Sequence, residues 1–337
     1  VDTAIYQSII EQCFPEVAVS AIRFVGGGSF RVFEVNGDWI FRFPHSGDGP
    51  ALIRWEKRLY DRLQPLLSLP IPRYTHFPDA GCDLFPRPVA GYRRLDGVSL
   101  ESLDLDPAQR LRLAPQIAGF LSELHSLTAE QLSRADLAPF DPERAAADRR
   151  GFYDEIQRRA FPILSPAERA WTQALFAAGL NDPGAWDFAP VLVHGDFDSS
   201  NILCDPAGES TVGIIDFEET GFGDPAVDFC VLRAEFGPAF LDRLLAAYTG
   251  RVDDGLLRRI EFHARRIIFC ELLYGLDVRE PFGLSLRTKP QSNEAGESDY
   301  VAHGLARLRR AMAGEDIIEG WLHRSTSATR QWPGFPA

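Results

Sequence analysis

Three polar residues of special chemistry lie among short apolar runs between Val191 and Asp228. Val191-Leu192-Val193, Ile202-Leu203 and Val212–Ile215 read as buried strands, and Asp196, Asn201 and Asp216 lie at their ends. Asp196 follows His194 by two positions and precedes Asn201 by five. A carboxylate there can take the proton of an attacking hydroxyl, and the amide can hold Mg²⁺; this is the H-x-D-x-x-x-x-N arrangement of phosphoryl-transfer loops. Alone, the pattern equally describes a turn capped by Asp and Asn. Asp216, 15 residues beyond Asn201 in I-I-D-F-E, tips the balance. A carboxylate at a strand end is a natural hard ligand for Mg²⁺. Asp196 is therefore predicted to orient and deprotonate a hydroxyl, and Asn201 and Asp216 to hold ions bridging nucleotide phosphates.

A second group of residues, more than 150 positions earlier, fits the same chemistry. Residues 21–44 read as a strand, the turn Gly26-Gly27-Gly28-Ser29, a strand over Phe30–Val35, an Asn36-Gly37 hairpin and a strand over Trp39–Phe43 closed by Pro44. Glycines without Cβ atoms let backbone N–H groups approach phosphates, although a plain hairpin explains them too. Strand alternation puts Ile40 and Arg42 on one face and Trp39, Phe41 and Phe43 on the other. Arg42 is expected to project into the site beneath the hairpin. Glu56, on a helix over Pro50–Leu63, is its expected partner.

The elements around these residues imply two lobes in a chain of 337 residues. A break is expected near 92–99. The expected division is an N-terminal lobe over 1–92, a hinge over 93–98, a C-terminal lobe over 99–324 and a tail over 325–337. A helix is expected over 5–14, and Leu84–Leu95 as a mixed strand region. Beyond the break, helices are expected over 110–127, 142–160 and 166–180. A helix from Asp224-Pro225 to about Glu235 should be interrupted at Gly237-Pro238 and resume to about Gly250. Helices over Asp253–Gly275 and Tyr300–Ala313 follow, with a polar loop at 281–299.

Net charge is −13, from 48 acids against 35 bases. That disfavours nucleic acid as a partner and allows a cationic small molecule. No apolar run approaches the roughly 18–20 residues of a membrane span, and no secretory signal opens the sequence. The five cysteines, 13, 82, 204, 230 and 270, form no C-x-x-C pair. They read as small buried hydrophobes with no disulfide framework, and a reducing cytoplasm is the expected setting.

HGDFDSSNIL, IIDFEE and GDPAVDF, in that order and spacing, resemble three successive motifs of the aminoglycoside phosphotransferases of the kinase-like superfamily. The likeness spans roughly residues 20–313. EVNGDWIFRFP, LPIPRY, Glu235-Phe236-Gly237 and Leu273-Tyr274-Gly275 with Asp277 resemble the 2″-phosphotransferase branch. The resemblance implies an α+β, bilobal protein-kinase-like fold, with a small antiparallel-sheet N-lobe and a larger, mostly helical C-lobe. It implies Mg²⁺ and ATP or GTP as phosphoryl donor, a small-molecule alcohol as acceptor, and a monomer or weak dimer. Asp196 would be the base, Asn201 and Asp216 the metal ligands, and Gly26, Gly27, Gly28, Ser29, Arg42, Glu56, Tyr92 and Arg94 the nucleotide site. The Gly91–Leu95 backbone would face the nucleotide base. Asp196, Glu235, Glu271 and Asp277 would meet the acceptor. Asp224 would cap a helix, and Asp228 would brace the catalytic loop. The sequence departs from the family where Arg42 replaces lysine and where Arg233 stands beside Glu235. Macrolides, choline-like compounds and sugar metabolites therefore stay open as acceptors beside aminoglycosides, as does a nucleotide-binding protein without turnover.

Overall fold

The computed structural model describes residues 1–26, 29–45, 47–133, 135–182, 186–279 and 298–315, with the side chains of 277–279 and 298–299 left aside. Four antiparallel strands form the N-terminal sheet in the order β1 (Ile22–Gly26), β2 (Phe30–Val35), β3 (Trp39–Pro44) and β4 (Ala90–Arg93). The β2–β3 turn follows the Asn-Gly signal: Asn36 and Gly37 both take positive φ, and the Asn36 side chain ties Ser20 and Ala21 to the turn.

Period-two alternation sorts the two faces of this sheet. Phe33, Val35, Phe41 and Phe43 are fully buried against Tyr6, Ile9, Ile10 and Phe14 of α1 (Thr3–Cys13) and the residue that follows it. The opposite face carries Arg42 and Ile40, toward α2 (Gly49–Leu63) and the larger core. Pro50 sits in the first turn of α2, where its missing N–H costs nothing. Ile53, Leu59, Tyr60 and Leu63 form its buried stripe.

Between β4 and β5 (Val98–Ser99) the chain leaves the first sheet for a second one, ordered β5, β7 (Ile202–Cys204) and β8 (Thr211–Ile214). A third, two-stranded ladder joins β6 (Val191–Val193) to β9 (Gly221–Gly223). Helices fill the rest: α3 (Pro107–His125), α4 (Pro142–Glu155), α5 (Pro166–Asn181), α6 (Val227–Leu245), α7 (Asp254–Arg279) and α8 (Ser298–Met312). Capping boxes open α3 at Asp106 and α5 at Ser165. α3 runs on through Pro115.

Several boundaries differ from the sequence reading. The helix expected over 142–160 stops being α-helical at Glu155 and continues as a π turn over Ile156–Ala160, which keeps the same apolar face with a wider hydrogen-bond register. The strand in 84–95 is confined to Ala90–Arg93. Gly237, at φ +82°, marks the expected interruption of α6, and the second half ends at Leu245 rather than near 250. The loop at 281–299 and the tail lie outside the described residues, apart from the start of α8 at Ser298.

The cysteine reading is corrected. Cys13, at the end of α1, is disulfide-bonded to Cys82, while Cys204 and Cys230 are buried and free and Cys270 is half-buried. The bridge closes 69 residues of chain and ties α1 to the segment preceding β4. The cysteines therefore no longer support a reducing compartment. No helix among the described residues is long and apolar enough to cross a membrane.

Candidate active site

The loop from His194 to Asn201 joins β6 to β7 and is held from below by buried polar groups. The backbone N–H groups of His194 and Gly195 donate to Asp228 Oδ2 and Oδ1 at 2.8 and 2.9 Å. Asp228, in the first turn of α6, is fully buried and also meets His125 Nε2 at 3.0 Å. The other nitrogen of His125 reaches Tyr248 Oη at 2.8 Å. Gly195 has φ +88°, and a Cβ there would lie 2.2 Å from the Glu219 carbonyl oxygen, so only glycine fits this turn.

His194 links the loop to Ile215, the residue before Asp216. Its Nε2 lies 3.0 Å from the Ile215 carbonyl, which can only accept, so Nε2 carries the proton. Burial lowers the His194 pKa despite Asp228 nearby, and the ring is neutral. Ile215 N in turn donates to the Asn201 carbonyl at 3.0 Å. Asn201 Nδ2 donates to the Asp196 carbonyl at 2.9 Å, so the amide oxygen is the atom of this side chain able to accept or to ligate a cation. Asp196 and Asn201 are both buried, and Asp216 is half-buried with φ +65°. A positive φ at a carboxylate with no glycine freedom is strained, and the preceding residue, Ile215, is fixed by hydrogen bonds at both its N–H and its carbonyl. Asp216 Oδ1 is buried with no hydrogen-bond partner.

Arg42 reaches the same place from β3. Its Nη1 lies 3.3 Å from Glu56 Oε1 of α2, and its Nη2 pairs with Glu218. The guanidinium also lies over the Phe30 ring, 4.3 Å from its centroid. Tyr74 Oη donates to Glu56 Oε2 at 2.8 Å. Burial pushes Glu56 up to about 7 against the pull of Arg42. Burial, reinforced by Asp216, raises Glu218 well above the carboxylate range, and Arg42 opposes it. For Arg42 burial acts downward, and Glu56, Tyr74, Glu218 and Asp216 together outweigh it.

Glu56, Asp216 and Glu218 each offer a carboxylate oxygen, and these oxygens lie within 4.8 Å of one another. Oxygen-only donors at this spacing, with one buried oxygen lacking a partner, fit a hard divalent cation.

The remaining predicted residues are distributed as follows. Gly26 ends β1 at a bulge with φ +148°, and Gly27 and Gly28 lie outside the described residues. Ser29 is buried, and its carbonyl accepts from His45 N at 3.3 Å. Tyr92 sits opposite Ile40 in the β3–β4 ladder, on the Arg42 face, with its ring 5.7 Å from that of Tyr74. Arg94 directs its side chain to Glu34 at 3.4 Å and to the Gly97 carbonyl at 3.1 Å. Glu235 is buried on α6, where it accepts from Ser199 N at 3.2 Å, so it supports the loop between His194 and Asn201 from beneath. Glu271 of α7 pairs with Arg307 of α8 at 2.7 Å and lies 3.3 Å from His303. Asp277 lies outside the described side chains. Asp224 caps the entry to α6 through Ala226 N and holds Arg259 at 2.9 Å.

Sequence reasoning missed Glu218, Tyr74 and His125. Only Glu218 carried a signal, as the acid two residues beyond Asp216 in I-I-D-F-E-E.

An antiparallel-sheet lobe bearing an Arg–Glu pair, set on a helical lobe with a buried Asp…Asn…Asp constellation, is a bilobal protein-kinase-like α+β fold. Residues 20–263 match the model of the phosphotransferase enzyme family, and the chain belongs to that family. It is 31% identical over 219 residues to viomycin phosphotransferase of Streptomyces vinaceus, covering 64% of this chain and 68% of that one. The structure of APH(2")-IIia with GDP and kanamycin superposes with a TM-score of 0.75 at 26% identity, over 92% of this chain and 98% of that one. Macrolide 2'-phosphotransferase MphH from Brachybacterium faecium shares the fold at 22% identity, with a TM-score of 0.62 over 86% and 93% of the two chains.

Proposed function

We propose that the protein transfers the γ-phosphoryl group of ATP or GTP to a hydroxyl of an aminoglycoside-type antibiotic. The observation that carries this reading is the hydrogen-bonded path from Asp196 through Asn201 to Ile215, the residue before Asp216, with Asp216 beside the Arg42–Glu56 pair. Asp196 orients the acceptor hydroxyl and takes its proton. Asp216 and the Asn201 amide oxygen would hold Mg²⁺, with Glu218 in reach, and the ion would supply positive charge to offset that of the phosphates. Arg42 contacts the nucleotide phosphates, braced by Glu56, which Tyr74 orients. Gly26 and Ser29 lie beside the phosphates, and the backbone after Ala90 faces the nucleotide base. The relatives named for viomycin and for kanamycin binding support an antibiotic acceptor.

A second reading is a kinase of another small alcohol, such as a macrolide, a choline-like compound or a sugar metabolite. It is favoured by one feature: acids expected to meet a polycation are engaged within the protein. Glu235 holds Ser199, Glu271 holds Arg307, and Arg233 pairs with Glu261 at 2.6 Å. A coupled nucleoside-diphosphate assay over aminoglycosides, viomycin, macrolides and metabolite alcohols, each with ATP and GTP, separates the two. Turnover with a kanamycin-class compound supports the first; turnover confined to a neutral alcohol overturns it.

A further inference from the structure

The cation assigned to the nucleotide phosphates is already occupied by the protein's own carboxylates. Arg42 pairs with Glu56 through Nη1 and with Glu218 through Nη2, and all three side chains are more than nine-tenths buried. A guanidinium presents its donors in a fixed planar fork, so one Nη group on each carboxylate uses both arms at once. Phosphates binding to Arg42 must displace Glu218 from its Nη2 group. Glu218 is not committed to Arg42 alone. It lies two residues beyond Asp216, and its oxygen is already within 4.8 Å of an Asp216 oxygen, while Asp216 Oδ1 is buried without a partner. One carboxylate therefore has two alternative cationic partners: the guanidinium, or a divalent ion shared with Asp216.

We propose that Glu218 competes with the nucleotide phosphates for Arg42 and is drawn off when a divalent cation binds between it and Asp216, so that metal and nucleotide bind as a coupled pair. The inference rests on the phosphotransferase reading of the site. It also gives arginine at position 42 a purpose, because a lysine ammonium is a point charge and cannot hold Glu56 and Glu218 on opposite arms of one plane. Coupling of this kind is reciprocal: whatever factor the metal contributes to nucleotide affinity, the nucleotide contributes to metal affinity.

The test is ADP binding to the full chain by calorimetry, in EDTA and in saturating Mg²⁺, for the wild type, Glu218→Gln and Glu218→Ala. Both variants remove the competing carboxyl group and should bind ADP in EDTA at least about fivefold more tightly than the wild type, with a correspondingly smaller gain on adding Mg²⁺. Mn²⁺ affinity, read by electron paramagnetic resonance with ADP present, should fall in both. A folded variant whose metal-free ADP affinity equals or falls below that of the wild type overturns the proposal. So does a wild type that binds ADP as tightly in EDTA as in Mg²⁺, whatever the variants do. A wild type that binds no ADP under either condition removes the phosphotransferase reading with it; normal wild-type binding and turnover without the variant's gain removes this inference alone.

Discussion

Replacing Asp228 with Asn tests whether the catalytic loop is held as described. The Asp228 carboxylate accepts three bonds: His194 N and His125 Nε2 on Oδ2, and Gly195 N on Oδ1. An Asn keeps one oxygen, and its NH₂ must face a donor wherever it is placed. Either one backbone N–H is orphaned, or one backbone N–H and the His125 N–H are. Hydrogen bonds to a charged group contribute about 1.5–3 kcal/mol each, and a buried orphaned donor costs about 1–3 kcal/mol. Asp228→Asn should therefore destabilise the protein by about 2–5 kcal/mol, a large share of a typical total. An unfolding entropy of about 2.1 cal/mol/K per residue makes each kcal/mol worth about 1.4 °C in a chain of 337 residues, so the melting temperature should drop by roughly 3–7 °C. The backbone immediately before Asp196 loses its anchor, so kcat should fall as well. Nucleotide affinity should change less, because neither Arg42 nor Glu56 touches Asp228. Urea denaturation read by fluorescence, paired with steady-state kinetics, measures both. A loss below about 0.5 kcal/mol with unchanged kcat would refute the reasoning, since it would place the substitution among ordinary surface changes.

Arg42→Ala should weaken nucleotide binding by at least about tenfold, and it should cost about 3–5 kcal/mol of stability because Glu56 and Glu218 are left buried without their cation; calorimetry with ADP and a urea melt report the two effects. Gly195→Ala must move a Cβ away from the Glu219 carbonyl at 2.2 Å while keeping φ at +88°, so turnover should fall about a hundredfold or more, as expected for a displaced catalytic group. Burial, with Asp216 adding to it, raises Glu219 from 4.5 to about 7. The folded state then binds the proton more tightly than the unfolded chain, so this contribution is full below about 4.5 and is lost as pH rises through about 7. In EDTA, the wild type should lose melting temperature relative to Glu219→Gln as pH rises from about 4.5 to about 7; a difference between the two that stays constant or moves the other way contradicts the shift.

The site was legible where local chemistry and strand period sufficed. Alternation along Trp39–Phe43 put Arg42 on the face opposite the phenylalanines, and β3 shows that arrangement. The order Asp196, Asn201, Asp216 gave the loops that carry them. What stayed hidden depends on contacts between distant segments. Arg42 and Glu218 are 176 positions apart, and nothing in either neighbourhood names the other. Cys13 and Cys82 likewise have no spacing signature, because only the docking of α1 against the sheet brings them together. Glu235 was read as an open acid, yet α6 is buried around most of its circumference, and a helix of that kind has no polar face to read. The π turn after Glu155 preserves the apolar spacing of a helix, so periodicity alone could not place the end of α4.

The central claim is that Asp196 is the base for phosphoryl transfer. Phosphate transfer by purified Asp196→Asn, measured with the acceptor and nucleotide on which the wild type turns over, tests it most directly. Loss of a positioned general base should lower kcat by about 10²–10⁴. Nucleotide affinity and melting temperature should stay close to the wild-type values, because the carboxylate is not what binds the nucleotide. A folded Asp196→Asn protein that transfers phosphate at the wild-type rate would contradict the account.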